Sequence, residues 1–331
     1  MARELPGTVD EAKAQRHAEM LGRRVAKTFK KLKPRFDREG VGAFRLYDRD
    51  IPEVRAVVDW YEGHLVLGEY ARAQTEAFGD WLHVVGQGVA EALRVPPAHL
   101  HLKRRRTRPR DGQRYEKSGS GRGPGPLAVG ERGLRFRVNL RDYLDTGLFL
   151  DQREARREVQ QASAGRSVLN LFAYTGTFSA AALAGGAKHV TSVDVSKTYI
   201  DWTQSNLREN DLSLERHEPA RNEVFAFLQH ALKHGRRWDL VIVDPPSFST
   251  TGGPQARGFD IQRDHEALLA IALRATTPGG TLRFSTNHQR FELHGSGLDA
   301  EIHETTEDTV PIDFRNPQVH RSWRLLPRPS R

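Results

Sequence analysis

The chain contains no cysteine. That absence excludes disulfides, zinc ribbons, iron–sulfur clusters and any thiolate nucleophile. No run of about 18 apolar residues is present, which excludes a helical membrane span. The opening MARELPGTVDEAKAQRHAEM lacks the apolar stretch of a secretory signal peptide, so a cytoplasmic, reducing location is expected. Fourteen histidines are scattered with no H-E-x-x-H pattern, and no metal site is expected. His99 and His101 alternate on a predicted strand and read as ordinary solvated or basic-patch side chains.

What is present is charge, unevenly placed. The 331 residues carry 51 Lys and Arg against 42 Asp and Glu, a net +9. Residues 101–141 hold 13 basic side chains against Asp111, Glu116 and Glu131 only, and residues 21–38 hold eight against Asp37. Those two blocks sum to +17, which leaves the rest of the chain at −8. Clustering of this kind is the electrostatic footprint of a polyanion binder, although a solvated surface produces it too. The candidate contacts are Arg23, Arg24 and Lys27 in the first block and Lys103, Arg104, Arg105, Arg106, Arg108 and Arg110 in the second.

Periodicity divides the chain. Leu21, Val25, Phe29, Leu32 and Phe36 recur at steps of four and three, which predicts a helix over 11–38 with its basic face outward. Beyond residue 43 the pattern shortens to two: AFRLYD and RAVVDWYEGHLVLGEY, with a turn at Gly63, predict strands of a small sheet. A helix near 75–93, a strand at 99–103, a mobile Gly/Pro-rich loop over 117–133 and a strand LRFRVNL complete a small α+β region. From there apolar strands at 167–172, 189–194, 240–244 and 280–285 alternate with helices such as 198–210 and 261–275. That alternation predicts parallel βαβ units, and EIHETTED and VHRSWRLL supply two further strands. The expected organisation is a basic helical segment 1–38, a small α+β RNA-binding domain 39–142, and an α/β domain 143–331 with helices on both faces of its sheet.

Doubly wound sheets bind ligands beyond the carboxyl ends of their strands. Three such ends carry chemistry here. VLNLFAYTGTFSAAALAGG places Tyr174-Thr175-Gly176-Thr177 between a strand and a small-residue helix, where backbone approaches a ligand closely; an ordinary turn reads the same. Asp194 ends the next strand and could accept both hydroxyls of a ribose or cap the following helix. DLVIVDPPSFS ends a third strand with Asp244-Pro245-Pro246-Ser247-Phe248. Two prolines stiffen that loop and withhold backbone donors, and Phe248 could lie flat against an inserted base. Together these ends predict a Rossmann-like class I methyltransferase dependent on S-adenosyl-L-methionine. A nicotinamide oxidoreductase is disfavoured because the first turn lacks G-x-G-x-x-G.

Residues 21–331 also resemble a family. FRLYDRDIPE (44–53), DYLDTGLFLDQR (142–153), VLNLFAYTG (168–176), TSVDVSKTYIDWTQSN (191–206), VDPPSFS (243–249), FDIQRDHEALL (259–269) and RNPQVHRSW (315–323) follow, in order, the RlmK half of the bacterial RlmKL 23S rRNA methyltransferases. The resemblance implies methyl transfer to guanine N7 of large-subunit rRNA or its assembly precursor. It also implies cofactor contacts from Asn170, Phe172, Tyr174, Thr175 and Gly176, with Asp194 on the ribose and Glu223 toward the adenine amine. Asp151 and Arg153 of FLDQR precede the core; the arginine either holds the methionine carboxylate or forms a structural salt bridge. The long family proteins carry an RNA-binding module and a guanine-N2 methyltransferase ahead of the matching region. About 20 residues precede it here, so a separate N2-methyltransferase partner is an expectation. Methylation at pyrimidine C5, as some relatives perform it, needs a cysteine and is excluded. An exocyclic-amine target (guanine N2 or adenine N6) and a catalytically idle RNA-binding or assembly factor remain as alternatives.

Overall fold

A computed structural model describes residues 9–70, 75, 78–105, 123–143, 145–249, 258–288 and 290–328, apart from the side chain of Arg105. Two compact units divide at Thr146/Gly147.

The first unit begins with helix α1 (Glu11–Arg38), whose amino end is capped by the Asp10 carboxylate accepting from the Lys13 amide at 2.7 Å. A four-stranded sheet follows, in the order β1 (Ala43–Asp48), β2 (Ala56–Tyr61), β3 (His64–Tyr70), β4 (Leu100–Arg105), with helix α2 (Trp81–Leu93) between the last two. The first three strands are antiparallel and β4 runs parallel to β3, as its crossover through α2 requires. Glu62 and Gly63 both take positive φ, 42° and 92°, so the two-residue turn between β2 and β3 has the twist that a tight hairpin needs. Leu21, Val25, Leu32 and Phe36 of α1 share one core with Phe44, Val58, Trp60 and the α2 residues Trp81, Val85 and Val89. Each such side chain fully removed from water contributes about 1.5–3 kcal/mol. The helix predicted as a separate 1–38 segment is therefore part of this unit's core.

The expected mobile loop is also corrected. Residues 117–122 lie outside the described residues, but β5 (Leu127–Glu131) and β6 (Leu134–Val138) form a hairpin. Ala128 and Val129 are buried, and Arg132 and Gly133 take the positive φ of its turn. Glycine and proline content concealed a short alternating strand.

The second unit is an α/β sheet. In chain order it comprises α3 (Arg153–Ala162), β7 (Ser167–Leu171), α4 (Thr177–Ala184), β8 (His189–Asp194), α5 (Lys197–Glu209), β9 (His217–Arg221), α6 (Val224–Lys233) and β10 (Trp238–Val243). Then come β11 (Phe248–Ser249), β12 (Phe259–Asp260), α7 (Ile261–Arg274), β13 (Thr276–Thr286), β14 (Ala300–Glu304), α8 (Thr306–Thr309) and β15 (Arg321–Pro327). The seven-stranded sheet runs β14-β15-β13-β10-β7-β8-β9, with β15 antiparallel to both neighbours and the other six strands running in one direction. Strands β7, β8 and β10 are covered on both faces; SVLNL and WDLVIV read as mostly apolar runs, whereas HVTSVD carries the small buried Thr191 and Ser192 between its two valines. At the amino end of the sheet the Asp239 carboxylate ties three strands together. It accepts from the Ser167 amide (2.9 Å), the Ser167 hydroxyl (2.8 Å) and the Thr277 hydroxyl (3.1 Å). Burial pushes this carboxyl up, but the donors outweigh it and hold the group below the ordinary carboxylate range.

Candidate active site

The carboxyl ends of β7, β8, β10 and β13 bring together the three predicted loops. After β7 the chain takes positive φ at Phe172 (55°), Tyr174 (50°) and Gly176 (73°) within five residues. A Cβ on Gly176 would stand 2.3 Å from Thr203 Cγ2, so the loop's approach to α5 admits no side chain there. Such repeated strain in one short loop is retained where backbone must meet a ligand. The loop runs into α4, whose first amides have no intrahelical acceptor. Tyr174 packs against Phe149 and Tyr199 with ring centroids 5.1 and 4.6 Å apart, and Phe172 lies 5.6 Å from Phe259.

Asp194 closes this loop from β8. One carboxylate oxygen accepts from the Tyr174 amide and the other from the Ser196 amide, both at 2.9 Å. Burial pushes its carboxyl up against these donors. With the Val195 amide as a further donor, the carboxylate braces the loop against the start of the segment after β8.

Beneath the loop runs a buried polar chain. Asn170 Nδ2 donates to Ser179 Oγ at 2.8 Å, Ser179 meets Ser192 at 2.7 Å, and His217 Nε2 meets Ser192 at 2.8 Å. Burial pushes the His217 imidazole down to about 4, so it is neutral at physiological pH. Asn170 was expected to touch cofactor, but its side chain is spent supporting α4 from below. Thr175 is likewise buried, donating to the Gly147 carbonyl at 2.6 Å. Glu223 is exposed and caps α6, accepting from the Ala226 amide at 2.9 Å.

The third loop follows β10. Asp244 Oδ1 accepts from the Ser285 hydroxyl at 2.6 Å and faces the Gln152 amide nitrogen at 3.4 Å. Burial pushes this carboxyl up to about 6, with the nearby Asp151 adding to the rise and Ser285, His320 and Arg156 opposing it. Pro245 is buried, Pro246 is exposed, and Phe248 is 46% exposed. A half-buried carboxylate and an uncovered aromatic ring thus belong to one short loop.

Several of these partners escaped the sequence reading. Ser285 sits at the end of β13 in RFSTN, where a hydroxyl after an apolar strand was a usable signal. Gln152 lies inside the FLDQR segment, its Oε1 buried with no hydrogen-bond partner among the described residues. Of the two alternatives for Arg153, the salt bridge is the one formed: it bonds both oxygens of Asp313 at 2.9 and 3.0 Å, both side chains fully buried. Asp151 meets His320 Nδ1 at 3.2 Å.

The basic candidates divide. Arg23 and Lys27 are exposed on α1, with Arg23 paired to Glu19 at 2.9 Å. Arg24 is partly buried against Asp50 at 2.8 Å. Lys103 is buried and donates to the Tyr143 carbonyl, which removes it from any surface patch. Arg104 holds the buried Glu69 at 2.9 Å. The Arg105 side chain and Arg106, Arg108 and Arg110 lie outside the described residues. Among the described residues no group of three or more His, Asp or Glu is placed to hold a metal, and no helix is long and apolar enough to cross a membrane.

A family model described as S-adenosylmethionine-dependent methyltransferase matches residues 44–315. A ribosomal RNA large subunit methyltransferase K from Neisseria meningitidis is 40% identical, over 91% of this chain and 85% of its own length. A ribosomal RNA large subunit methyltransferase K/L from Pseudomonas putida is 39% identical, over 98% of this chain and 44% of its own; the chain spans less than half of such K/L relatives. Among solved structures, a SAM-dependent methyltransferase from Streptococcus mutans superposes with a TM-score of 0.71 at 23% identity, covering 93% of this chain and 81% of that one. The SMU.776 methyltransferase, complexed with SAH, gives 0.70 at 23% identity over 92% and 81%. Those likenesses show the α/β fold. The strained first loop and the unpartnered Gln152 oxygen suit the cofactor that the family model names. The chain belongs to the S-adenosylmethionine-dependent methyltransferase family, alongside relatives named for the large ribosomal RNA.

Proposed function

We propose that the protein methylates large-subunit (23S) rRNA at N7 of a guanine. The observation that carries this reading is the Asp244–Phe248 loop, a carboxylate held by the Ser285 hydroxyl and followed by an exposed ring, in a chain 40% identical to a relative named methyltransferase K. When bound, S-adenosylmethionine supplies a methyl group on a positively charged sulfur. Backbone of the Phe172–Gly176 loop, the Tyr174 ring and the Asp194 carboxylate hold it. Phe248 stacks on the target base while Pro245 and Pro246 keep the ring plane fixed. Guanine N7 presents an in-plane lone pair and loses no proton, so alignment and charge are the requirements. Ionised Asp244 faces the positive charge passing onto the purine. The target atom lies in the closed groove of A-form RNA, so an unpaired or splayed guanosine is the substrate. With that substrate the protein works in the cytoplasm.

Labelled cofactor and unmodified large-subunit rRNA test this directly: chemical strand cleavage at N7-methylguanosine is the expected outcome. Label recovered as N2-methylguanosine or N6-methyladenosine would move the target to an exocyclic amine, with Asp244 then accepting amine hydrogens. No label on any rRNA would leave only an RNA-binding factor.

Two variants follow from the same reading. Gly176→Ala forces a side chain into positive φ and onto Thr203, and should weaken S-adenosylmethionine binding about tenfold or more by calorimetry, with the circular dichroism spectrum unchanged. On the RNA side, Arg23, Lys27 and Lys31 project from the exposed side of α1. Replacing all three by Ala should weaken RNA binding and lower the slope of log affinity against log salt by about 2, leaving cofactor affinity intact. An unchanged slope would remove α1 from the RNA surface.

A further inference from the structure

The loop after β10 is gripped at two points by the carboxyl end of β13, through Ser285 within the strand and Asn287 just past it. At the start of the loop Asp244 accepts from the Ser285 hydroxyl at 2.6 Å. Three residues on, the Ser247 hydroxyl donates to Asn287 Oδ1 at 2.8 Å. Pro245 and Pro246 lie between these two bonds and carry no amide hydrogen, so neither can donate a bond that would fasten the loop. The task falls to side chains, and their chemistry is complementary. The loop offers an acceptor and then a donor, and the strand end offers a donor and then an acceptor.

Ser247 is also held through its backbone. Its carbonyl accepts from the amide of Ile261, the first residue of α7, at 3.2 Å. The next residue, Phe248, pairs with Asp260 in the short β11–β12 ladder. Main-chain contacts thus tie this stretch to the start of α7, and the Ser247–Asn287 bond ties it to β13. The Phe248 ring that follows is 46% exposed. A ring left open on that scale is not locked by packing all round, so its direction depends on the backbone that carries it.

We propose that Ser247 and Asn287 are positioning residues that aim the Phe248 ring at the target base. The inference rests on Phe248 being the ring that stacks on that base. It assigns a task to the serine of DPPSF and the asparagine of RFSTN at once. Ser285 of the same RFSTN segment holds the Asp244 carboxylate, so one strand end places both the charge and the ring of the loop.

Ser247→Ala and Asn287→Leu each remove one partner of the bond. With S-adenosylmethionine and unmodified rRNA both saturating, the single-turnover rate of methyl transfer should fall about five- to tenfold in each, the effect of losing one hydrogen bond. The double variant should fall no further than either single variant, because both act through one bond. Ser247→Thr keeps the hydroxyl and should stay within about twofold of the parent. Affinity for S-adenosylmethionine should be unchanged in every variant, which separates this fastening from a general loosening of the site. Phe248 is also read without RNA, from the fluorine-19 resonance of its ring in protein labelled with para-fluorophenylalanine, assigned by its loss in Phe248→Leu. That resonance should move in Ser247→Ala and Asn287→Leu and stay in place in Ser247→Thr. A resonance unmoved in both of the first two, or losses that add in the double variant, overturn the proposal. A resonance that moves while the transfer rate does not upholds the fastening and overturns Phe248 as the ring governing methyl transfer.

Discussion

Asp244→Asn is expected to lower kcat for methyl transfer by about 10²–10³-fold, the usual effect of removing one preorganised electrostatic group, with S-adenosylmethionine affinity within about twofold of the parent. The same change should make the protein more stable at neutral pH. Burial raises the Asp244 carboxyl to about 6, above its value in an unfolded chain. Below pH ~4 the group is protonated in both states and costs nothing. Between about 4 and 6 the unfolded chain ionises while the folded protein still holds the proton, so the parent progressively loses stability. Above 6 the cost is complete, about 1–3 kcal/mol. An amide does not ionise, and it still accepts from Ser285. Melting temperatures of parent and variant should therefore be close at pH 4.5 and separate by several degrees at pH 7.5, with the inactive variant higher. A variant that melts lower at both pH values would show that Asp244 stabilises the fold rather than straining it.

The second large effect is structural. Arg153→Ala or Asp313→Ala should each cost about 3–5 kcal/mol, because either leaves a fully buried charge without its partner. Replacing both, as Arg153→Met with Asp313→Leu, should recover much of that loss, since a well-packed apolar pair avoids the desolvation penalty. Urea unfolding of the three variants gives the comparison. Cofactor affinity of the folded fraction should stay unchanged throughout, which separates this ion pair from a grip on the methionine carboxylate.

The parallel sheet was legible because β7, β8 and β10 are buried on both faces and carry apolar residues broken only by a few small or polar ones, such as Thr191 and Ser192 in β8. Asp194 and Asp244 were legible because a charged residue directly after such a run stands at the sheet's carboxyl edge. HEPAR became β9 without any apolar run: it is an edge strand, paired on one side only, and its exposed positions left no alternation to read. Arg153 could not be assigned from sequence, because its partner Asp313 lies 160 residues away. Lys103 shows the converse error. Counted within a basic block, it proved to be an interior side chain with its ammonium on a carbonyl, and net charge says nothing about which cations reach water. His320 and Thr309 carried no motif; only the fold brings the residue before β15 to within 2.9 Å of the end of α8.

The insertion of β15 between β13 and β14 has a consequence for synthesis. Residues 321–327 form hydrogen-bonded ladders to β13 on one side and β14 on the other, and Trp323 stacks on Phe284 at 5.3 Å. On the ribosome, every strand that carries a site loop emerges before this one. Until β15 arrives, β13 is an open edge and β14 has no neighbour in the sheet. A nascent chain therefore completes its first βαβ units early but closes the edge of β13 late. Completion of the sheet is timed by the last described strand rather than by the first βαβ unit.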